Sequence, residues 1–244
     1  MNLDLLFKDV EKLKKCEDDA RDVVGCLQIY AKEIAYDLLR MKAAARSGRL
    51  LTYNPELKRF LANVKKEKRE IDNLAKVLEE VKKNLNETWT QFGAFFLNKK
   101  FAEEYFDTIL RAFNIFGRAI SIAQERNLKE LIFCKKFPTG FWSYFFPGRV
   151  NTDDIGVSID ELINFIRGEK EQIKQVLAAA KETEQWVRTN TSPLINGELS
   201  GLHNVPPEEE RRVRLLIGEL VRRTLEIEET LSVKIAKYAT AAVF

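Results

Sequence analysis

Residues 6–45 read LFKDVEKLKKCEDDARDVVGCLQIYAKEIAYDLLRMKAAA. Counting from Leu6 by alternate fours and threes reaches Val10, Leu13, Glu17, Ala20, Val24, Leu27, Ala31, Ile34, Leu38, Met41 and Ala45, and only Glu17 is not apolar. A repeat of this kind with no internal proline predicts one helix of about 45 residues, nearly 70 Å long, with a narrow aliphatic seam. Ser47-Gly48 supplies its stop, because glycine takes the left-handed cap at least cost.

Working outward, Asn54-Pro55-Glu56 has the order of a helix start: a capping Asn, a proline at the first position and an acid in the first turn. The second seam runs Val64, Glu67, Ile71, Leu74, Leu78, Val81, Leu85, Thr88, Phe92 and Phe95. The short connection from Gly48 to Pro55 predicts an antiparallel hairpin. A third helical segment, Phe101 to about Arg126, places Tyr105, Phe106, Ile109, Phe113, Phe116 and Ile120 on one broad face. From Leu128 to Val157 the periodicity fails: Leu128 to Phe137 could form a short helix ended by Pro138, but Pro138, Gly140, Pro147, Gly148 and Gly156 forbid a long one and predict a loop-like stretch. Helical pattern resumes at Ser158, which forms a capping box with Glu161 and leads Ile159, Leu162, Ile166, Ile173, Val176, Ala180 and Val187 to about Asn190. After a Pro/Gly-rich connection, Glu208-Glu209-Glu210 opens the last helix, with Val213, Ile217, Leu220, Ile227, Leu231, Ile235, Tyr238 and Ala242 on its face.

No strand pairs and no solenoid repeat are visible. The fold expected is therefore all-α: an elongated bundle of long antiparallel helices in a single domain. Its parts are a first heptad-patterned hairpin (1–98), an aromatic helix with an irregular segment (99–157) and a second hairpin (158–244).

The chain has 244 residues, 45% of them hydrophobic, enough for a buried core. Forty basic and 37 acidic residues nearly cancel to +3, which argues against strong attraction to polyanions. The basic clusters at 65–69, 82–83 and 211–223 each lie among glutamates, as in a solvated helix face of mixed-sign pairs. Cys16 and Cys26 lie ten residues apart on one helix, about 15 Å, beyond disulfide reach. With Cys134 they read as reduced thiols, and with neither a secretory leader nor an apolar run of membrane-spanning length the expected location is cytoplasmic.

Catalytic chemistry finds little footing. His203 is the single histidine, no Glu-x-x-His pair or zinc-spaced Cys/His group occurs, and no phosphate-binding glycine loop follows a strand. Glu103, Glu104 and Asp107 could act as acid and base, but acids early in a helix serve the dipole and solvent. No enzyme activity, cofactor or metal is expected. Glu17 and Glu67 occupy seam positions, where a buried charge must find a partner or force a polar layer that sets register.

Between Trp89 and Phe146 lie 16 of the 25 aromatic residues. Phe92, Phe95, Phe106, Phe113 and Phe116 have helical spacing and read as core. Phe137, Phe141, Trp142, Tyr144, Phe145 and Phe146 are too crowded in a Pro/Gly-bounded stretch to share one helical face, so part of this segment is free to plug the bundle or meet something else. With Lys135, Lys136 and Arg149 beside them they form the candidate partner- or membrane-binding site, since aromatic anchors dominate protein hot spots and ring-plus-cation chemistry suits a lipid interface.

In outline, long helices around one apolar irregular insertion resemble the helical pore-forming toxins, whose bundle carries a hydrophobic tongue that enters membranes. The resemblance is architectural and rests on no motif; the corresponding stretch here, Leu131 to Val150, carries Lys135 and Lys136. It implies a membrane-active bundle that docks residues 137–146 in lipid. The first expectation is a non-enzymatic helical scaffold or adaptor that binds a protein partner, or forms a coiled-coil homo-oligomer, through its heptad faces and aromatic centre. A nucleic-acid-associated accessory protein, using residues 65–69 and 211–223, comes third.

Overall fold

A computed structural model of the chain describes residues 3–47, 50–93, 99–137, 152–195 and 205–241. Five helices account for nearly all of them: α1 (Leu3–Arg46), α2 (Leu50–Phe92), α3 (Lys99–Lys136), α4 (Thr152–Ile195) and α5 (Pro207–Ala241). No strand occurs among the described residues. The packing is that of an all-α bundle.

Helix ends follow local chemistry, with three departures from the sequence reading. The α1 end is as expected: the Ser47 amide donates to the Ala43 carbonyl at 3.1 Å, and its hydroxyl donates to the Ala44 carbonyl at 3.0 Å. Helix α5 starts with proline at the first position and three glutamates in the first turn, the Pro206 carbonyl accepting from the Glu209 and Glu210 amides. Helix α2, however, begins at Leu50, so Pro55 lies inside it. A proline there forgoes only one ladder bond, to the Leu51 carbonyl, close to an end where amides lack partners anyway. Helix α3 does not stop near Arg126 but runs on to Lys136, and α4 opens at Thr152, so Ser158 is an interior residue and not a cap. Thr152-Asp153-Asp154 carries the residue types favoured at a helix start and displaces the later capping box.

The chain divides into two compact units, each assembled from three separate stretches: unit 1 from Met1–Asp22, Leu74–Arg118 and Val176–Lys234, unit 2 from Val23–Asn73, Ala119–Gln175 and Ile235–Phe244. Unit 1 buries Leu13, Leu78, Val81, Val187 and Ile217 around a layer of Tyr105, Phe113 and Phe116. Phe113 and Phe116 are buried and meet edge to face at 5.9 Å, as their spacing suggests, whereas Phe106 is half-buried and stacks on Trp89 at 5.8 Å. Phe92 and Phe95 lie outside the described side chains. The buried side chains of unit 2 are largely aliphatic apart from Phe60, Phe133, Phe137 and Tyr238, and include Leu27, Ile34, Leu38, Met41, Ile159 and Ile166.

Every described residue of the α2 seam, from Val64 to Thr88, is buried, Glu67 included. On α1 the same holds from Val10 to Met41. At roughly 25 cal/mol per Å² of apolar surface, each fully buried Leu or Ile contributes about 1.5–3 kcal/mol to the stability of the unit that buries it.

Candidate functional site

Both units bury polar side chains, but more of the buried charged ones lie in unit 2. Helix α2 places Glu67 there, α3 places Arg126, Asn127 and Glu130, α4 places Glu169 and α5 places Tyr238. All six are buried, Glu67 and Glu130 completely. On α3 the fours-and-threes spacing continues through Ile120, Ala123, Asn127, Glu130, Cys134 and Phe137, and all six are buried. Asn127 and Glu130 therefore stand where Leu or Ile would continue the seam, which is why the helix appears to end near Arg126 when apolar residues alone are counted.

Glu67 is the best-connected member. Its Oε1 accepts from the Arg126 guanidinium and, at 2.9 Å, from the Tyr238 hydroxyl; its Oε2 accepts from the Asn127 amide at 3.0 Å. The Asn127 amide also donates to the Val64 carbonyl at 2.9 Å, bracing α3 against α2. Arg126 donates to the Tyr238 hydroxyl, its guanidinium carbon lying 4.6 Å from the centre of that ring. Burial works against the Arg126 charge, but Glu67 foremost, then Tyr238, Glu130 and Glu169, outweigh it and raise its pKa. The Tyr238 phenol is likewise pushed up, mainly by burial.

The other two carboxyls are poorly served. Glu130 Oε1 lies 3.5 Å from Arg126 Nε, an ion-pair separation, but no donor side chain hydrogen-bonds either oxygen of Glu130 or of Glu169, and the hydrogen-bonding neighbour of Glu130 is the carboxyl of Glu67. Burial, then the neighbouring Glu67, drives the Glu130 pKa well above the carboxylate range. Burial also pushes Glu169 up to about 8, with Arg126 opposing. Next to Glu130, burial lifts the Cys134 thiol to about 12, an unreactive state.

Unit 1 treats its seam acid differently. Glu17 accepts from Arg21 at 2.5 Å and from Arg223 at 3.3 Å, and Arg223 also holds Glu219 and Glu226. Glu17, Arg21, Arg223 and Glu226 line a groove of about 470 Å³ that carries both signs of charge. Glu228 is the orphan of this unit: buried, with neither oxygen hydrogen-bonded, and pushed by burial to about 8.

No family model, curated protein or solved structure matches this chain.

Of the residues expected to meet a partner or membrane, Lys135 and Lys136 are exposed in the last turn of α3. Phe137 is not: it is 7% exposed and packs on Phe133, ring centres 5.2 Å apart. Phe141, Trp142, Tyr144, Phe145, Phe146 and Arg149 lie outside the described residues, as does His203. Glu103, Glu104 and Asp107 are exposed. Among the described residues no group of three or more His, Cys, Asp or Glu side chains could hold a metal ion, and no helix is long and apolar enough to cross a membrane. Several arginines and lysines of the basic clusters are paired with acids, Lys68 with Asp72 at 2.6 Å and Arg222 with Glu219 at 2.6 Å among them.

The sequence reading singled out Glu17 and Glu67 but missed Arg126, Glu130, Glu169, Glu228 and Tyr238 as partners or orphans. Glu130 and Glu169 could have been found by continuing the 3–4 spacing through polar residues.

Proposed function

We propose that this chain is a non-enzymatic helical scaffold that self-associates through an outward stripe on α1. The observation that carries the reading is Ile29, Tyr36 and Leu39, which are 57%, 56% and 47% exposed while Ala31, Ile34 and Leu38 on the same turns are buried. Ile29, Glu33, Tyr36 and Arg40 follow the same fours-and-threes spacing as the inner seam, so α1 carries a second seam facing water. Arg40 donates to the Tyr36 hydroxyl at 2.7 Å and lies 4.2 Å from its ring centre. Tyr and Arg held together in this way resemble the anchors that dominate binding hot spots.

A second copy is the occupant that the charges favour. An antiparallel pairing of two α1 stripes about Tyr36 sets Glu33 of each copy opposite Arg40 of the other, an isologous and closed arrangement. The aromatic stretch at 141–146 remains a further contact of the same scaffold.

Sedimentation equilibrium tests this reading. The wild-type chain is expected to dimerise with concentration, the I29E/L39E variant to stay monomeric with its melting temperature little changed, and E33R/R40E to recover association that E33R alone weakens. A wild-type chain that remains monomeric at several hundred micromolar overturns the proposal, as does a dimer indifferent to I29E/L39E.

A further inference from the structure

We propose that unit 2 is a proton-operated clasp: Glu130 and Glu169 are packed as neutral carboxylic acids, and their ionisation loosens α3 and α4 around Arg126. The arrangement has three carboxyl groups and one guanidinium in a space that water does not reach. Arg126, Tyr238 and Asn127 commit themselves to Glu67, which leaves the carboxyl oxygens of Glu130 and Glu169 without a donor side chain, and Glu130 against the carboxyl of Glu67. If all three acids were ionised, the cluster would carry two uncompensated negative charges away from water, an arrangement that helix packing cannot hold. Two bound protons remove that excess.

The groups facing the pair are few. Helix α2 contributes Glu67, α5 contributes Tyr238, and α3 contributes Arg126 and Cys134 around Glu130, with Glu125 and Lys129 toward Glu169. Lys129 is drawn aside over the Phe165 ring, 5.4 Å from its centre. Asp37, the buried acid of α1, is held separately by Arg59 at 2.8 Å and Asn63 at 3.0 Å. Lys129 acts on Glu169 only at a distance, and among the described residues Arg126 is the one cation within ion-pair range of Glu130, while none is within that range of Glu169.

The direction follows from linkage. Unfolded or opened, both carboxyls return to the ordinary range near 4.5; closed, both lie above it, Glu169 at about 8. The closed state thus binds more protons, so closure is complete at acid pH and is lost as pH rises through the folded value. This is opposite to the usual carboxylate, whose salt bridge fails in acid. The clasp tightens on acidification and yields in mild alkali.

Hydrogen exchange on the full chain tests it, with Glu228→Gln as background so that the unit 1 acid does not contribute. After correction for the intrinsic pH dependence of exchange, the peptides covering 126–134 and 166–173 are expected to lose at least tenfold in protection between pH 6 and pH 9. Adding E130Q/E169Q, which mimics the protonated pair, is expected to hold protection at its acid level throughout. Constant protection in the background chain, or an equal loss in the glutamine variant, overturns the proposal. Should the glutamine variant fail to fold, a carbon-13 carboxyl titration of glutamate-labelled wild-type protein decides: two glutamates titrating above pH 6.5 in unit 2 support the clasp, and all of them titrating below 5.5 refute it.

Discussion

Glu17 in unit 1 and Glu67 in unit 2 occupy equivalent positions in their seams, yet the two units compensate them in different ways. Glu17 is met by arginines that stand at the rim; the Arg21 side chain is 52% exposed and shares the acid with Arg223. Glu67 is met by Arg126, whose side chain is 3% exposed, within a sealed network of Tyr238 and Asn127. A guanidinium at the rim keeps part of its hydration and can be replaced by another. One inside has lost its water, and everything around it depends on the pairing.

Removing Arg126 should break this comparison most visibly. Arg126→Leu leaves Glu67 buried without a cation, and urea denaturation at pH 7 is expected to show a loss of about 3–5 kcal/mol. A second substitution, Glu67→Gln, should recover part of that loss, because the penalty belongs to the unpaired charge. Of intermediate size is the orphan acid of unit 1. Glu228 sits near 8 in the folded chain against an ordinary value of 4.5, so Glu228→Gln should change stability little at pH 5 and raise it progressively as pH climbs from 5 to 9, the window in which the unfolded chain releases the proton that the folded chain retains. A gain at pH 5 instead would reverse the assigned sign. Smallest is Arg223→Leu, expected to cost about 1 kcal/mol or less, since Arg21 still reaches Glu17 from the solvent side. Equal losses for Arg126→Leu and Arg223→Leu would erase the distinction between rim and interior.

Much of the architecture was legible because helical periodicity is a local property. The α1 and α2 seams could be listed residue by residue, and those listed from Val10 to Met41 and from Val64 to Thr88 are buried. Boundaries were less legible where two starts compete, as at Leu50 against Pro55 and at Thr152 against Ser158, since each pair lies within two turns and either can nucleate the same helix. The end of α3 was misread for a different reason. Gln124-Glu125-Arg126-Asn127 has the composition of a solvated turn, and only the partners of Arg126 and Asn127 make it interior.

The candidate sites divide along the same line. That Glu17 and Glu67 need partners followed from their seam positions. Which partners they take did not: Arg223 lies 206 residues from Glu17, and Tyr238 lies 171 from Glu67. The outward stripe of Ile29, Tyr36 and Leu39 was also hidden, because a helix with apolar residues on two sides does not say which side the core will cover.

From the chain alone come the helices, their inner faces and the presence of misplaced charge, for these depend on residues within a turn or two of one another. Tertiary structure alone decides that three helices bring three acids to one arginine, and so which carboxyls must keep their protons. Ionisation in an interior is set by water excluded and neighbours supplied, and both come from segments distant in sequence.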